Sequence, residues 1–204
     1  MTLTVNRNPK RTSTLADERP FPLPLPWSWR RISLRRLEVD DLAAFQAYRR
    51  DPEVARYQGW KIVDDDAARA FLAEMRTAPM FLRDKWFQLG IALRETQELI
   101  GDVGVCVDGE RSSAEIGFTV NPRFQGQGLA SEAIQEITSR TMQFGAVDKV
   151  VARPDARNER SIRLLERIGF EPEGEATFQD EDGEQREIIY ARIRPRQKKP
   201  ARRR

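Results

Sequence analysis

The sequence predicts a mixed α/β (α+β) domain with antiparallel strands early in the chain and one parallel pair later. Three apolar segments, 86–93, 99–107 and 113–120, are separated by short polar turns, which is typical of strands joined by hairpins. A helical pattern follows the third segment and leads to a short apolar segment at 149–152. Because a strand–helix–strand crossover joins parallel strands, segments 113–120 and 149–152 are expected to lie parallel.

The residues before these strands predict a tail, one strand and short helices. Residues 1–26 are polar and then rich in proline, so we expect them to be disordered. Residues 27–37 form a strand candidate with Ile32 and Leu34 facing inward. Acidic residues, which favour helix starts, occur at Asp40-Asp41, Asp51-Pro52-Glu53 and Asp64–Asp66.

The second half of the chain predicts two helices and a hairpin. A helix covers residues 130–144 and ends before Gly145, and another begins at Asn158 and ends before Gly169. Residues 170–178 and 187–193 read as the strands of a final hairpin around the dipeptide Asp182-Gly183.

The charge is distributed unevenly. The whole chain carries +3, of which residues 1–26 contribute +2 and residues 192–204 contribute +8. Subtracting both leaves −7 for residues 27–191. We therefore expect an acidic folded domain at 27–193 and a basic, disordered tail at 194–204.

The residue types exclude several kinds of chemistry. Histidine is absent, which excludes Ser-His and Cys-His catalysis and the usual zinc sites, so we expect no metal. The single cysteine, Cys106, excludes an internal disulfide, fits the cytoplasm and lies in an apolar strand where packing is its expected role. No apolar run approaches the roughly 20 residues of a membrane span, so no membrane contact is expected.

A glycine-bearing turn carries the chain from strand 113–120 into the following helix. The N–H groups of a first helical turn lack helical partners, and the helix dipole adds positive potential there. Gly126 and Gly128 leave room for an anion, and Arg123 can contribute a charge-assisted contact. The turn therefore suggests a phosphate site, with a glycine-tolerant loop as the alternative.

Residues 123–128, Arg-Phe-Gln-Gly-Gln-Gly, match the pattern Arg/Gln-x-x-Gly-x-Gly/Ala and resemble the GNAT family of acetyl-CoA-dependent N-acyltransferases. The resemblance covers roughly residues 28–193. It implies a three-layer GNAT-type fold with a central, twisted, mostly antiparallel sheet, a splayed parallel strand pair and flanking helices. Four further segments are similar to the branch of ribosomal-protein-alanine N-acetyltransferases, namely 51–54, 99–102, 115–118 and 158–170.

The resemblance implies acetyl-CoA as the cosubstrate. Its pyrophosphate is expected at the glycine turn and its pantetheine arm between strands 114–120 and 149–152. Asn158 matches a position that binds this arm, and Ser161 matches one proposed to protonate the departing thiolate; the alternatives are an N-cap and an ordinary first-turn serine. The expected cosubstrate-binding residues are Phe118, Thr119, Val120, Arg123, Phe124, Gln125, Gly126, Gln127, Gly128, Leu129, Ala130, Asn158 and Ser161.

An amine acceptor must lose a proton before it attacks, and without histidine a carboxylate is the natural base. Glu115 is the first candidate because alternation places it on one face with Gly117 and Thr119 of the central strand. Asp102, on the neighbouring strand, is the second. A structural carboxylate and a water chain without a dedicated base remain the alternatives.

These observations predict an N-acetyltransferase that moves an acetyl group to a primary amine by direct attack in a ternary complex. The acceptor is either a protein N-terminal α-amine or a small-molecule amine. A catalytically idle acyl-CoA-binding module is the alternative. The basic tail at 194–204 would suit contact with ribosomes or nucleic acid, and exposed strand edges leave room for a homodimer.

Overall fold

The computed structural model describes residues 25–58, 64–110, 112–180 and 183–195. They form one eight-stranded sheet with the strand order β1-β2-β3-β4-β5-β6-β8-β7. The strands are β1 (Trp27–Trp29), β2 (Ile32–Arg36), β3 (Trp86–Leu93), β4 (Leu99–Val107), β5 (Ser113–Val120), β6 (Lys149–Ala152), β7 (Glu171–Asp180) and β8 (Gly183–Ile193). Strands β5 and β6 are parallel, and all other neighbours are antiparallel.

The prediction of one strand over residues 27–37 is wrong, because this segment is a hairpin of two strands. Arg30 has a φ of 50°, which interrupts the extended backbone. Strand β1 then pairs with β2 so that Trp29 lies opposite Ile32. Ile32 and Leu34 are fully buried, as expected from their spacing.

The predicted crossover and the final hairpin are confirmed. Strands β3, β4, β5 and β6 have the predicted limits. Strands β7 and β8 pair over a longer stretch than predicted, from Glu171 opposite Ala191 to Asp180 opposite Gly183. Residue 182 of the predicted turn lies outside the described residues.

Side-chain caps begin three of the helices. The side chains of Asp51, Asp64 and Asn158 accept hydrogen bonds from first-turn N–H groups, as their sequence positions suggest. The helices are α1 (Leu42–Arg49), α2 (Pro52–Ala55), α3 (Asp65–Thr77), α4 (Leu129–Phe144) and α5 (Glu159–Arg167), with 3-10 turns at Val39–Asp41 and Pro122–Phe124.

The sheet is the middle of three layers. Helices α4 and α5 pack on one face and bury the main core, which includes Ile116, Ile134 and Leu165. Helices α1 and α3 pack on the other face around Phe45 and Leu72. Because each layer covers apolar residues of the sheet, hydrophobic burial holds the domain together.

The two predicted tails are largely outside the described residues, since the description begins at residue 25 and ends at residue 195. The limits of the folded domain at 27 and 193 therefore remain a prediction. Within the described part of the chain, no helix combines the length and apolar composition that crossing a bilayer requires.

Candidate active site

A split in the sheet forms the centre of the site. Strand β6 pairs with β5 only from Ser113 to Ile116. On its other edge, β5 stays paired with β4 as far as Val120. The backbone of β5 from Gly117 onward therefore lacks a strand on the β6 side, which opens a cleft between the parallel strands.

The cleft passes between the two helical layers. One wall consists of β5 residues around Gly117, and the opposite wall consists of residues that follow β6, including Arg153. Helix α5 lines the cleft on one face of the sheet, and Tyr57 and Gln58 line it after α2. The lining residues are Tyr57, Gln58, Ile116, Gly117, Phe118, Ala152, Arg153, Pro154, Asn158, Ser161 and Leu165.

The glycine turn lies at the end of β5 and is exposed. Gly126 and Gly128 have φ values of 73° and 80°, the left-handed region that glycine adopts without steric cost. Gly128 is the N-cap of α4 and provides no capping side chain, so the first-turn N–H groups of the helix keep their capacity to bind an anion. No atom lies within 4 Å of a Cβ built on Gly126. The turn thus has the geometry expected of a phosphate site.

Side chains brace this turn. Asn121 accepts a hydrogen bond from the Arg123 N–H at 3.0 Å, and the Gln127 amide donates to the Arg123 carbonyl at 3.0 Å. The Gln125 amide donates to the Val120 carbonyl at 2.8 Å and accepts from Arg160 of α5 at 3.1 Å. Gln125 therefore connects the turn to β5 and to α5.

The hairpin between β1 and β2 also holds the turn. The Arg31 guanidinium donates to Glu132 Oε1 at 2.5 Å and to the Gln127 carbonyl at 2.9 Å. The Arg31 N–H donates to Glu132 Oε2 at 3.1 Å. Because Glu132 lies in the first turn of α4, Arg31 joins the glycine turn to the helix that follows it. Sequence reasoning missed the role of Arg31, because its partner Glu132 lies 101 positions away in the sequence.

Asn158 and Ser161 lie together at the start of α5. The Asn158 side chain accepts a hydrogen bond from the Ser161 N–H at 3.1 Å, which confirms the N-cap interpretation. Both residues also line the cleft, so their predicted contact with a cosubstrate is compatible with the capping role.

Glu115 lies on the face of the sheet opposite the main core. Its carboxylate is 3.3 Å from Arg153 Nε, and 42% of its side chain is exposed. Strand register places three further residues on the same face as Glu115, namely Trp86, Gly104 and Gly117. We call these four residues together with Arg153 the open face. The Trp86 ring lies over Gly104 and is 49% exposed.

Asp102 occupies a very different environment, with only 1% of the residue exposed. Its carboxylate accepts hydrogen bonds from the Tyr48 hydroxyl at 2.5 Å and from the Gln88 amide, and the Arg49 guanidinium lies 3.4 Å away. Burial and this carboxylate hold the pKa of Tyr48 well above its usual value. The network joins α1 to β4.

Cys106 lies on the same side of the sheet as the open face and is half-buried, so the expectation that it packs in the core is wrong. Strand alternation points it away from the main core, because its neighbour Val105 faces that core. Burial and the nearby Asp84, Glu115 and Asp108 carboxylates raise the pKa of its thiol to about 11, the reverse of an activated nucleophile. Among the described residues, no group of three or more Cys, Asp and Glu side chains is placed to hold a metal ion.

The structure thus brings together Phe118, Asn158 and Ser161 at the cleft, and it places the glycine turn at the end of β5. Thr119 and Val120 are buried at that end, and Leu129 and Ala130 begin α4. Sequence reasoning missed Arg153, for which local sequence carries no signal.

The described residues thus form a three-layer fold with one splayed parallel strand pair and an uncapped glycine turn. The chain belongs to the family described as the acetyltransferase (GNAT) domain, whose model matches residues 31–171. The chain is also 30% identical over 145 residues to a protein named uncharacterized N-acetyltransferase p20 from Bacillus licheniformis. That match covers 71% of this chain and 81% of the relative, so the protein is an acetyltransferase enzyme by family.

Two solved structures share the fold. The ribosomal-protein-S5-alanine acetyltransferase from Vibrio fischeri is 16% identical with a TM-score of 0.71, covering 86% of this chain and 100% of its own. The microcin C7 self-immunity acetyltransferase, solved with acetyl-CoA and AMP, is 18% identical with a TM-score of 0.69. The latter match covers 80% of this chain and 92% of the other.

Proposed function

We propose that this protein is an acetyl-CoA-dependent N-acetyltransferase that acts on a primary amine. The observation that carries the proposal is an open glycine turn at the end of β5, the same strand whose separation from β6 forms the cleft. A phosphorylated cosubstrate with a long arm fits this arrangement, because the turn offers N–H groups and the cleft offers an unpaired strand edge. One solved relative of the fold contains acetyl-CoA, which supports this choice.

The cosubstrate would supply an activated acetyl thioester. Residues 123–130 would bind its pyrophosphate, and residues 118–120 with Asn158 would bind its pantetheine arm. The left-handed glycines support this assignment, since a side chain at Gly126 would extend into the space in front of the turn. Ser161 lines the cleft and is the proposed donor of a proton to the departing thiolate.

Glu115 is the proposed proton acceptor for the amine. It is exposed on the open face, beside the cleft residue Arg153, so an acceptor or a bridging water can reach it. Asp102 fits this role less well, because buried donors already surround its carboxylate. A backbone N–H of β5 beyond Ile116 is the proposed donor to the developing oxyanion.

A polypeptide N-terminus is the acceptor class that the structure favours. At the open face, Trp86 is half-exposed, Gly117 is exposed, and no atom lies within 4 Å of a Cβ built on Gly117. Such a surface admits the extended end of a chain. The name of the Vibrio fischeri relative, a ribosomal-protein-alanine acetyltransferase, supports the same class. A small amine remains the second candidate acceptor.

Mass spectrometry after incubation with acetyl-CoA tests the proposal. One pool contains peptides with varied N-termini, and the other contains small amines and aminoglycosides. We expect acetylation in the peptide pool, and acetylation only among the small amines would overturn the acceptor class. Binding of acetyl-CoA without transfer to either pool would instead indicate an idle acyl-CoA-binding module.

A further inference from the structure

Glu187 of β8 belongs to the same surface as Glu115, although the two residues are far apart in sequence. Glu115 lies opposite Val151 of β6, and Val151 lies opposite Ala191 of β8. Residues at paired positions face the same side, and alternation along β8 returns Glu187 to the side of Ala191. Glu187 therefore lies on the same side of the sheet as the open face.

The backbone places Glu187 next to the residues that follow β6. Glu187 forms an antiparallel bridge with Asp155, and the N–H of the next residue, Ile188, donates to the Pro154 carbonyl at 3.0 Å. Arg153 and Pro154 both line the cleft. Glu187 thus lies next to residues that adjoin the cleft, and it is half-buried.

The charges around Glu187 are unbalanced. Arg153 is paired with Glu115, and Asp155 is held by Arg157 at 2.6 Å. Burial raises the pKa of Glu187; Arg153 opposes this change, and the Glu115 and Asp155 carboxylates add to it. The residue opposite Glu187 on β7 is Ala176, which carries no charge. Among the described residues, the Arg153 guanidinium therefore pairs with Glu115 and also attracts the Glu187 carboxylate, without forming an ion pair with Glu187.

We propose that Glu187 binds the ammonium group of the acceptor and positions it beside Glu115. The acceptor brings a further positive charge to the two carboxylates, so the face selects cationic primary amines. Glu115 then takes one proton from the ammonium, and the neutral amine attacks the acetyl carbonyl carbon. The C–N bond forms as the thioester C–S bond breaks, and the second proton lost from the nitrogen ends on the departing thiolate through Ser161. This inference rests on the proposed acetyl transfer and specifies how its acceptor is recognised.

Steady-state kinetics of Glu187→Gln test the inference with acetyl-CoA and two acceptors, a short alanine-initiated peptide and spermidine. We expect the KM of the acceptor that wild type uses to rise about tenfold or more, because a charged contact to the ammonium is lost. The kcat and the KM for acetyl-CoA should change less than about twofold, a separation that a general structural defect would not produce. Glu187→Asp should recover part of the acceptor affinity.

Glu184→Gln is the matched control, since it makes the same substitution on the exposed part of the same strand. It should leave all three constants unchanged. An unchanged acceptor KM in Glu187→Gln, with transfer intact, overturns this inference alone. Absence of transfer by the wild-type protein to either acceptor would contradict it together with the proposed function.

Discussion

The two glycines of the turn, Gly126 and Gly128, differ in the space that a side chain would find. A Cβ on Gly126 would meet no protein atom within 4 Å, so the space before it is free for a ligand. A Cβ on Gly128 would lie 3.3 Å from Arg31 Nη2, the group that holds the turn. Gly126 is therefore the better place to test binding, because a methyl group there disturbs no protein neighbour.

Gly126→Ala should weaken acetyl-CoA binding about tenfold or more in calorimetry, because the methyl group obstructs the approach to the helix N–H groups. The left-handed φ should cost about 1–2 kcal/mol of stability. Gly169→Ala is the control, since Gly169 has a φ of 84° and an equally open Cβ position. Both variants should lose similar stability, and equal loss of affinity in both would argue against a phosphate site at the turn.

Substitution of Glu115 and of Asp102 should have opposite effects on stability and turnover, which distinguishes the two candidate bases. Asp102→Asn should destabilise the fold by about 3 kcal/mol in urea unfolding, because it removes the buried negative charge that faces Arg49 and Tyr48. Glu115→Gln should leave stability within about 0.5 kcal/mol, since its ion pair is exposed. The turnover of Glu115→Gln should fall about 100-fold. Native stability with lost turnover in Asp102→Asn would instead make Asp102 the base.

At the scale of elements, the first hairpin supports the cosubstrate turn. Strands β1 and β2 are far from the cleft in sequence, yet Arg31 between them binds both the turn and the first turn of α4. The left-handed Arg30 shapes this hairpin and precedes Arg31 directly. The hairpin thus positions N–H groups that it does not itself provide.

Arg31→Ala should weaken acetyl-CoA binding about threefold to tenfold and lower stability by about 1–2 kcal/mol, since two guanidinium hydrogen bonds to Glu132 and one to the Gln127 carbonyl are lost. Arg30→Ala, at the exposed neighbouring position, should change neither quantity appreciably. The double variant Arg31→Ala/Glu132→Ala should be less than additive. Strict additivity would show that the two residues act separately.

At the scale of the whole molecule, the acidic domain and the basic tail have opposite charge. Residues 27–191 carry −7, and Glu115 and Glu187 lie on the side of the sheet that carries the open face. A negative domain attracts cationic acceptors over a distance comparable to the Debye length. The excess positive charge of the chain resides mainly in residues 192–204.

Deletion of residues 196–204 removes six Lys or Arg residues and changes the net charge from +3 to −3. Acetyl-CoA affinity, turnover and thermal stability should remain unchanged, because the cleft and both cores lie within the described residues. Salt-sensitive binding to RNA, if wild type shows it, should disappear. A loss of stability on deletion would mean that the folded domain extends beyond residue 193.

The sequence by itself determined the elements whose signals are local. Apolar segments bounded by short polar turns defined β3, β4 and β5, and acidic or amide caps defined the starts of α2, α3 and α5. Paired glycines marked the turn before α4. These signals depend on residues that are close in sequence, so they can be recognised without knowledge of the fold. The first hairpin escaped prediction because its turn uses two arginines, which are not typical turn residues.

Only the tertiary structure decided which charges meet. Strand order and register place residues of distant segments side by side. They bring Arg31 to Glu132, Arg153 to Glu115, and Glu187 to the side of the sheet that carries the open face. The same geometry separated the two candidate bases, since α1 covers Asp102 and leaves Glu115 exposed. A carboxylate's chemistry is set by its burial and by its neighbours in space, and both are properties of the folded sheet.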